Sequence, residues 1–415
     1  MNKILIITYY WPPKKSPGVL RWYYFSRYLP LYGYKPIIFT PLNSKNEQDD
    51  KIDLIKRKIF DPSDILSKFF KSNINKGVLS SSNSIFGNFL NWIRINFFVP
   101  DSRIFWVNPS VKFLKTYINQ NNIKTIITTG PPHSIHLIGL KIKEILNINW
   151  IADFRDPWSS WDILLDMKPS NRIINKHKIL EKKILKNANK VIVTNSNLYD
   201  EFLNTIDRNK LEILTNGTLL PIVKKKHNIK KFKISYLGLL NKFRFPKIFF
   251  NVLKEIISKN NDIEKDIEIL ISGTIDSSIY NYLMNDSILK TKINYVENIE
   301  YEKTFDHFDS SSLLLLLLNK NSVNTTPTKV FDYASSGTPV LTLGEKKDRK
   351  MDLLLKEFSL EKIISYSDKI SIEKSILNSY QNFKYKIKNK PSKNIKKYDR
   401  KYLTKKLSKI LDYYH

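Results

Sequence analysis

Residues 326–341 read "TPTKVFDYASSGTPVL". Thr326 can cap a helix and Pro327 suits a first helical position, while Gly337 and Pro339 end it after a few turns. Just before it stands "SLLLLLL" (312–318), a run too short for a bilayer span and suited to a strand buried on both faces. Just after comes "PVLTL" (339–343), a second such strand. Strand, helix, strand is the unit of a parallel α/β sheet. The helix itself is odd, because Lys329 and Asp332 are three residues apart and so share one side. Two readings stand open: an ion pair on a solvated helix, or a ligand site at a helix amino end, where free N–H groups and the helix dipole favour an anion.

Working outward, the same rhythm fills the chain. Before the helix lie "FKISYLG" (232–238), "DIEILISG" (266–273) and "KINYVE" (292–297). The amino-terminal half alternates in the same way, with strands at "KILIITYY" (3–10), "KPIIFTP" (35–41), "KTIITTG" (124–130), "NWIADF" (149–154), "KVIVTN" (190–195) and "LEILTNG" (211–217). Helical patterns separate them, and residues 45 to 105 break the rhythm as an insertion. The expected organisation is an amino-terminal Rossmann-like domain over 1–218 and a carboxy-terminal one over 219–397. An amphipathic helix over 398–415 follows, with Leu403, Leu407, Ile410 and Leu411 on one face, and is expected to pack back on the protein. The sheets of such a pair face a central cleft and gather ligands at the carboxyl ends of their strands.

Composition agrees with two domains, since 415 residues exceed what one core organises and 42% of them are hydrophobic. There is no cysteine, which excludes disulfides and thiolate metal sites. The opening "MNKILIITYYWPP" reads as a first buried strand, because its apolar run ends at aromatics and prolines with no small-residue cleavage site. The net charge of +30 suggests an acidic ligand, an anionic membrane or nucleic acid. Its lysines are scattered, however, and most read as a solvated face, so a nucleic-acid partner is not expected.

Several residues could carry chemistry. Gly238 permits close backbone approach after its strand, and Lys242, Arg244 and Lys247 offer cations in the next loop and helix start. Thr328 adds a hydroxyl beside Lys329, and Gly18 opens a helix after the first strand. His133 lies at a strand end, whereas His136 falls inside a helix and suits packing. In "ADFRDPW" (152–158), Asp153 and Asp156 could orient or deprotonate an acceptor hydroxyl, or join Arg155 in an ion-pair network that fixes the loop. The six histidines are isolated and no Asp-x-Asp motif marks a metal site. Residues 65–77 and 86–100 mix aromatic, aliphatic and basic side chains, as interfacial helices do, although core packing of the insertion on its own domain is the reading favoured.

The stretch "PTKVFDYASSGTPVL" resembles the donor-binding helix of the retaining family 4 glycosyltransferases of GT-B fold. Similar to the same family, in order along the chain, are residues 4–41, "FVPDSRIFWVNPSVK", "IITTGPPHSIHLIGLKIK", "WIADFRDPW", "LEKKILKNANKVIVTNS", "LTNG" and "YLGLLNKFR". The likeness is to members that build bacterial surface polysaccharides such as capsule or O-antigen. It implies transfer of a sugar from a nucleotide-diphosphate donor, with retention and without a metal or other cofactor, to a lipid-linked glycan. It further implies a cytoplasmic enzyme with peripheral contact at the inner face of the cell membrane. By this resemblance Asp332 takes the donor ribose, Arg244 the diphosphate, and His133 a place near the reacting sugar. The family usually carries two glutamates eight positions apart here; the first falls on Asn324, and the arginine usual after the glycine is Leu239. Two other readings are an epimerase of nucleotide sugars on the same fold and a non-enzymatic basic protein that binds membrane or nucleic acid.

Overall fold

The computed structural model describes residues 1–12, 17–42, 52–58, 95–220, 230–320, 325–345, 348–387 and 390–414. They form two compact units, Met1–Asn216 with Leu403–His415, and Gly217–Tyr402.

The first unit is built on a seven-stranded sheet with the order β3-β2-β1-β4-β5-β6-β7. Its strands are β1 (Asn2–Thr8), β2 (Tyr34–Pro41), β3 (Asp53–Arg57), β4 (Thr125–Gly130), β5 (Asn149–Phe154), β6 (Lys190–Val193) and β7 (Leu211–Ile213). All pairings are parallel, with Ile4 opposite both Pro36 and Thr125. The central strand β1 carries an unbroken apolar run, ILII, because both its faces are covered. Leu5 and Ile7 of β1 enter one core with Trp106, Ile126 and Trp150. Ile4 and Ile6 enter the other with Trp22, Phe25 and Ile127. That second face is completed by the last helix, Arg400–Asp412, whose Leu403, Leu407 and Leu411 are buried there while Ile410 is partly buried. Tyr34 OH ties the helix end down by donating to Asp412 Oδ1 at 2.5 Å.

The second unit has a six-stranded parallel sheet, order β10-β9-β8-β11-β12-β13. Its strands are β8 (Phe232–Leu237), β9 (Ile267–Ser272), β10 (Ile293–Val296), β11 (Leu313–Leu317), β12 (Val340–Gly344) and β13 (Ile364–Ser365). The leucine run is explained by this sheet. Leu313, Leu315 and Leu317 enter one core, Leu314 and Leu316 the other.

The span 45–105 is not wholly an insertion, since β3 lies inside it and pairs with β2. Residues 65–77, most of 86–100, and Asn324 lie outside the described residues.

In both sheets the first strand of the unit sits beside a strand from later in the chain, β1 by β4 and β8 by β11. The connections leave in opposite directions there, so each unit by itself is expected to take a ligand at those carboxyl ends, of β1 and β4 in the first and of β8 and β11 in the second.

Candidate active site

In the second unit, Gly238 follows β8 and the helix Lys329–Ser336 follows β11. The helix begins two residues later than its sequence suggests. Thr328 is the capping position, with helical backbone angles and no side-chain cap, so Thr326 and Pro327 precede the helix. Val330 N donates to Pro327 O and Phe331 N to Thr328 O. Gly337, with φ 75°, ends the helix as expected.

Lys329 does not pair with Asp332. Its Nζ stands 5.1 Å from the ring centre of Tyr236, over the face. A Cβ built on Gly238 would lie 1.9 Å from that Nζ, so the missing side chain of Gly238 makes the room that the ammonium fills. Burial, and then the nearby Arg244 guanidinium, lower the Lys329 pKa to about 8. Among the described residues neither Lys329 nor Arg244 has a carboxylate within 4.0 Å of its charged nitrogens. Two neighbouring cations that follow β8 and β11, with no carboxylate partner among the described residues, could seat an anion. Of the other two basic side chains of this stretch, Lys242 lies over Phe243 and Lys247 over Tyr282.

Asp332 is buried at 4% exposure. Its Oδ1 accepts from Thr218 Oγ1 at 2.7 Å and from Tyr301 OH at 2.9 Å. Its Oδ2 accepts nothing from the described residues. Burial raises its pKa, opposed by the Arg400 charge and the two hydrogen bonds. Arg400, itself fully buried, lies 5.0 Å from the Tyr301 ring centre. A hollow of this unit, about 680 Å³, lies at the opposite, amino ends of β11 and β12 and is lined by none of these charged groups.

In the first unit the strand-end residues divide sharply. Asp153 is fully buried. Its Oδ1 meets Arg21 at 2.9 Å, and its Oδ2 accepts from Trp22 Nε1 at 2.7 Å and Thr129 Oγ1 at 2.8 Å. Arg21 also donates to the carbonyls of Leu214 and Thr215, so the cluster pins the first helix to β5 and to the end of β7. Asp153 is therefore structural, which corrects the expectation of an acceptor-side base: both oxygens are committed and neither reaches solvent.

His133 is held by the protein itself. Its Nε2 donates to Pro157 O at 3.2 Å, and its buried Nδ1 faces Gly130. Its ring stacks on Trp158 at 5.0 Å, and burial holds its pKa well below the ordinary value. It lines a cavity of the first unit. His136 is fully buried, meets Thr128 Oγ1 at 2.9 Å, and packs on Phe154 at 4.3 Å, as its helical place suggested.

At Gly18, whose helix start could approach a donor diphosphate or sugar, the glycine makes room for a side chain of the protein itself. A Cβ there would lie 1.3 Å from Arg155 Nη1, so the helix start is already occupied by that guanidinium. Arg155 donates through Nε to Gly130 O at 3.0 Å and through Nη2 to Pro131 O at 2.6 Å. It fixes the loop through carbonyls rather than through an ion pair. Asp156 remains partly exposed, with its pKa raised chiefly by burial, and takes no hydrogen bond from the described residues. Nearby, Tyr10, Phe98, Arg103, His133, Trp158 and Trp161 help line a cavity of about 290 Å³. Among the described residues no group of three or more acidic or histidine side chains could hold a metal ion, and no helix is long and apolar enough to cross a membrane.

Staphylococcus aureus TarM, also solved with UDP, is 11% identical with a TM-score of 0.65, covering 100% of this chain and 99% of its own. The chain has the GT-B fold. A glycosyltransferase from Rickettsia africae is 12% identical with a TM-score of 0.57, covering 100% of this chain and 98% of its own. A candidate UDP-N-acetylglucosamine 2-epimerase from Listeria monocytogenes gives 12%, 0.57, 98% and 94% in the same measures. No family model matches the sequence, and neither does any curated protein sequence.

Proposed function

We propose that the chain is a glycosyltransferase that takes its sugar from a nucleotide-diphosphate donor. The observation that carries this reading is the pair Lys329 and Arg244, two cations that influence each other and have no carboxylate partner among the described residues, with Asp332 one turn along the same helix as Lys329. A departing diphosphate needs positive charge fixed in advance, and these two groups with the Thr328–Lys329 helix start supply it without a metal. Asp332 then takes the ribose. Asn324 keeps its place in the proposal near the donor sugar.

On the acceptor side we assign the cavity beside His133 and Trp158, with Asp156 as the group that orients or deprotonates the acceptor hydroxyl. Aromatic faces with a few polar groups suit a sugar ring. In this proposal the anomeric configuration is retained and the acceptor is a lipid-linked glycan of a bacterial surface polysaccharide. The enzyme works in the cytoplasm, in peripheral contact with the inner face of the cell membrane.

A thermal-shift screen against UDP, GDP, TDP and CMP sugars tests the reading, with UDP first because TarM has been solved with it. Stabilisation by one class, lost in Arg244→Met and Lys329→Met, is expected; no shift across the panel ends the proposal. The epimerase reading draws on the Listeria neighbour and is separated by product analysis without acceptor, since an epimerase turns over donor alone.

A further inference from the structure

Asp332 is held by residues far from it in the sequence, and their geometry is more specific than burial requires. A carboxylate has about four lone-pair positions and its terminal torsion is soft. Thr218 Oγ1 and Tyr301 OH both donate to Oδ1, at 2.7 and 2.9 Å, which fixes that torsion and leaves Oδ2 turned elsewhere. The two donors are themselves fixed. Thr218 N donates to Tyr398 O and Arg400 N to Thr218 O, each at 2.9 Å, so Thr218 is clamped by the 398–400 segment. The Tyr301 ring lies between the Arg400 guanidinium, 5.0 Å from its centre, and Phe305 at 5.4 Å. Arg400 Nη2 reaches Gly217 O at 3.4 Å. The charged groups that act on Asp332 are Arg400 and Lys329.

We infer that Thr218 and Tyr301 are positioning residues that aim Asp332 Oδ2 at the hydroxyls of a ribose and so set the preference for ribonucleotide over deoxyribonucleotide donors. This rests on the donor reading proposed above. A carboxylate oxygen that takes no hydrogen bond from the described residues, on a side chain otherwise held by two donors, is open to a donor from a ligand. Both cations near it are already placed, which leaves a neutral hydroxyl pair as the fitting partner. A site built to bond a hydroxyl discriminates against the analogue that lacks it, because the buried acceptor is then left bare.

The test compares binding of UDP, GDP and ADP with their 2′-deoxy and 3′-deoxy forms by calorimetry, on the full chain. For the nucleotide that binds, wild type is expected to prefer the ribose form by about tenfold or more. Asp332→Asn should abolish most of that ratio. Tyr301→Phe and Thr218→Val should each reduce it at least about threefold, whereas Thr218→Ser, which keeps the hydroxyl, should preserve it. A structural role would change stability and leave the ratio alone. If wild type and Asp332→Asn behave as stated but Tyr301→Phe and Thr218→Val keep the full ratio, the inference is overturned and the donor reading survives. If wild type binds no nucleotide, or does not discriminate, the donor reading fails and this inference with it. Should Tyr301→Phe not fold, the Thr218 pair alone decides.

Discussion

Lys329 Nζ occupies the space in which residue 238 would otherwise carry a side chain, 1.9 Å from the Cβ position of Gly238. The glycine and the lysine therefore act as one device, and they should fail together. Gly238→Ala is expected to push the lysine end aside and weaken nucleoside-diphosphate binding by about tenfold, the loss of one charge-assisted contact. Lys329→Met should lose a similar amount. The double variant should lose little more than either single one, because both remove the same ammonium. Additive losses, measured by titration calorimetry, would refute the shared mechanism.

The lowered pKa of Lys329, about 8, gives a pH dependence with a definite sign. Burial and Arg244 disfavour its charged form, so the free protein sheds that proton as pH passes about 8. An arriving diphosphate restores the charge. Binding near about pH 8.5 should thus take up a proton, visible as a buffer-dependent binding enthalpy, and affinity should fall as pH rises above that point. In the unliganded protein the unfolded state holds more protons between about 8 and 10.5, the ordinary lysine value, so Lys329 makes stability rise with pH across that window. Lys329→Met should remove both effects.

Asp153 and Asp156 stand three residues apart and should behave oppositely. Asp153→Ala removes the carboxylate that offsets the buried Arg21 charge, and a loss of about 3–5 kcal/mol in urea unfolding is expected. Asp156→Asn removes a carboxylate that burial disfavours, so stability at neutral pH should hold or rise. Glycosyl transfer by Asp156→Asn should drop about a hundredfold, the scale of a lost general base. Unimpaired transfer by that variant would remove Asp156 from the proposed chemistry.

These contrasts show what a one-dimensional pattern can carry. The continuous apolar strands and their spacing made both parallel sheets legible, and the leucine run declared a strand covered on two sides. The edge strands β3 and β13 were not legible, because "DLIKR" (53–57) is charged and half exposed and β13 is only two residues long. The charges at "PTKVFD" (327–332) could be singled out, but their partners could not. Thr218 lies 114 residues from Asp332, and neither it nor Arg400 has a local pattern that marks it. Asp153 and Asp156 looked alike in sequence; only the arrival of Arg21, Trp22 and Thr129 at one of them separates a pin from an available acid.

Glu181 supplies a second pH signature, away from the donor residues. It is 7% exposed, and burial raises its pKa from 4.5 to about 7. Ser159 opposes that rise, its N donating to Oε1 at 3.2 Å and its Oγ to Oε2 at 2.5 Å. Between those two pH values the folded protein holds the proton that the unfolded chain releases, so this residue makes stability fall as pH rises from about 4.5 to about 7. Above that range the full penalty is present, on the order of 3 kcal/mol. Glu181→Gln keeps an acceptor for Ser159 N and removes the charge. Its urea midpoint should therefore exceed that of wild type at about pH 8 and converge with it near about pH 4. A constant offset between the two proteins across that range would show that Glu181 does not titrate in it.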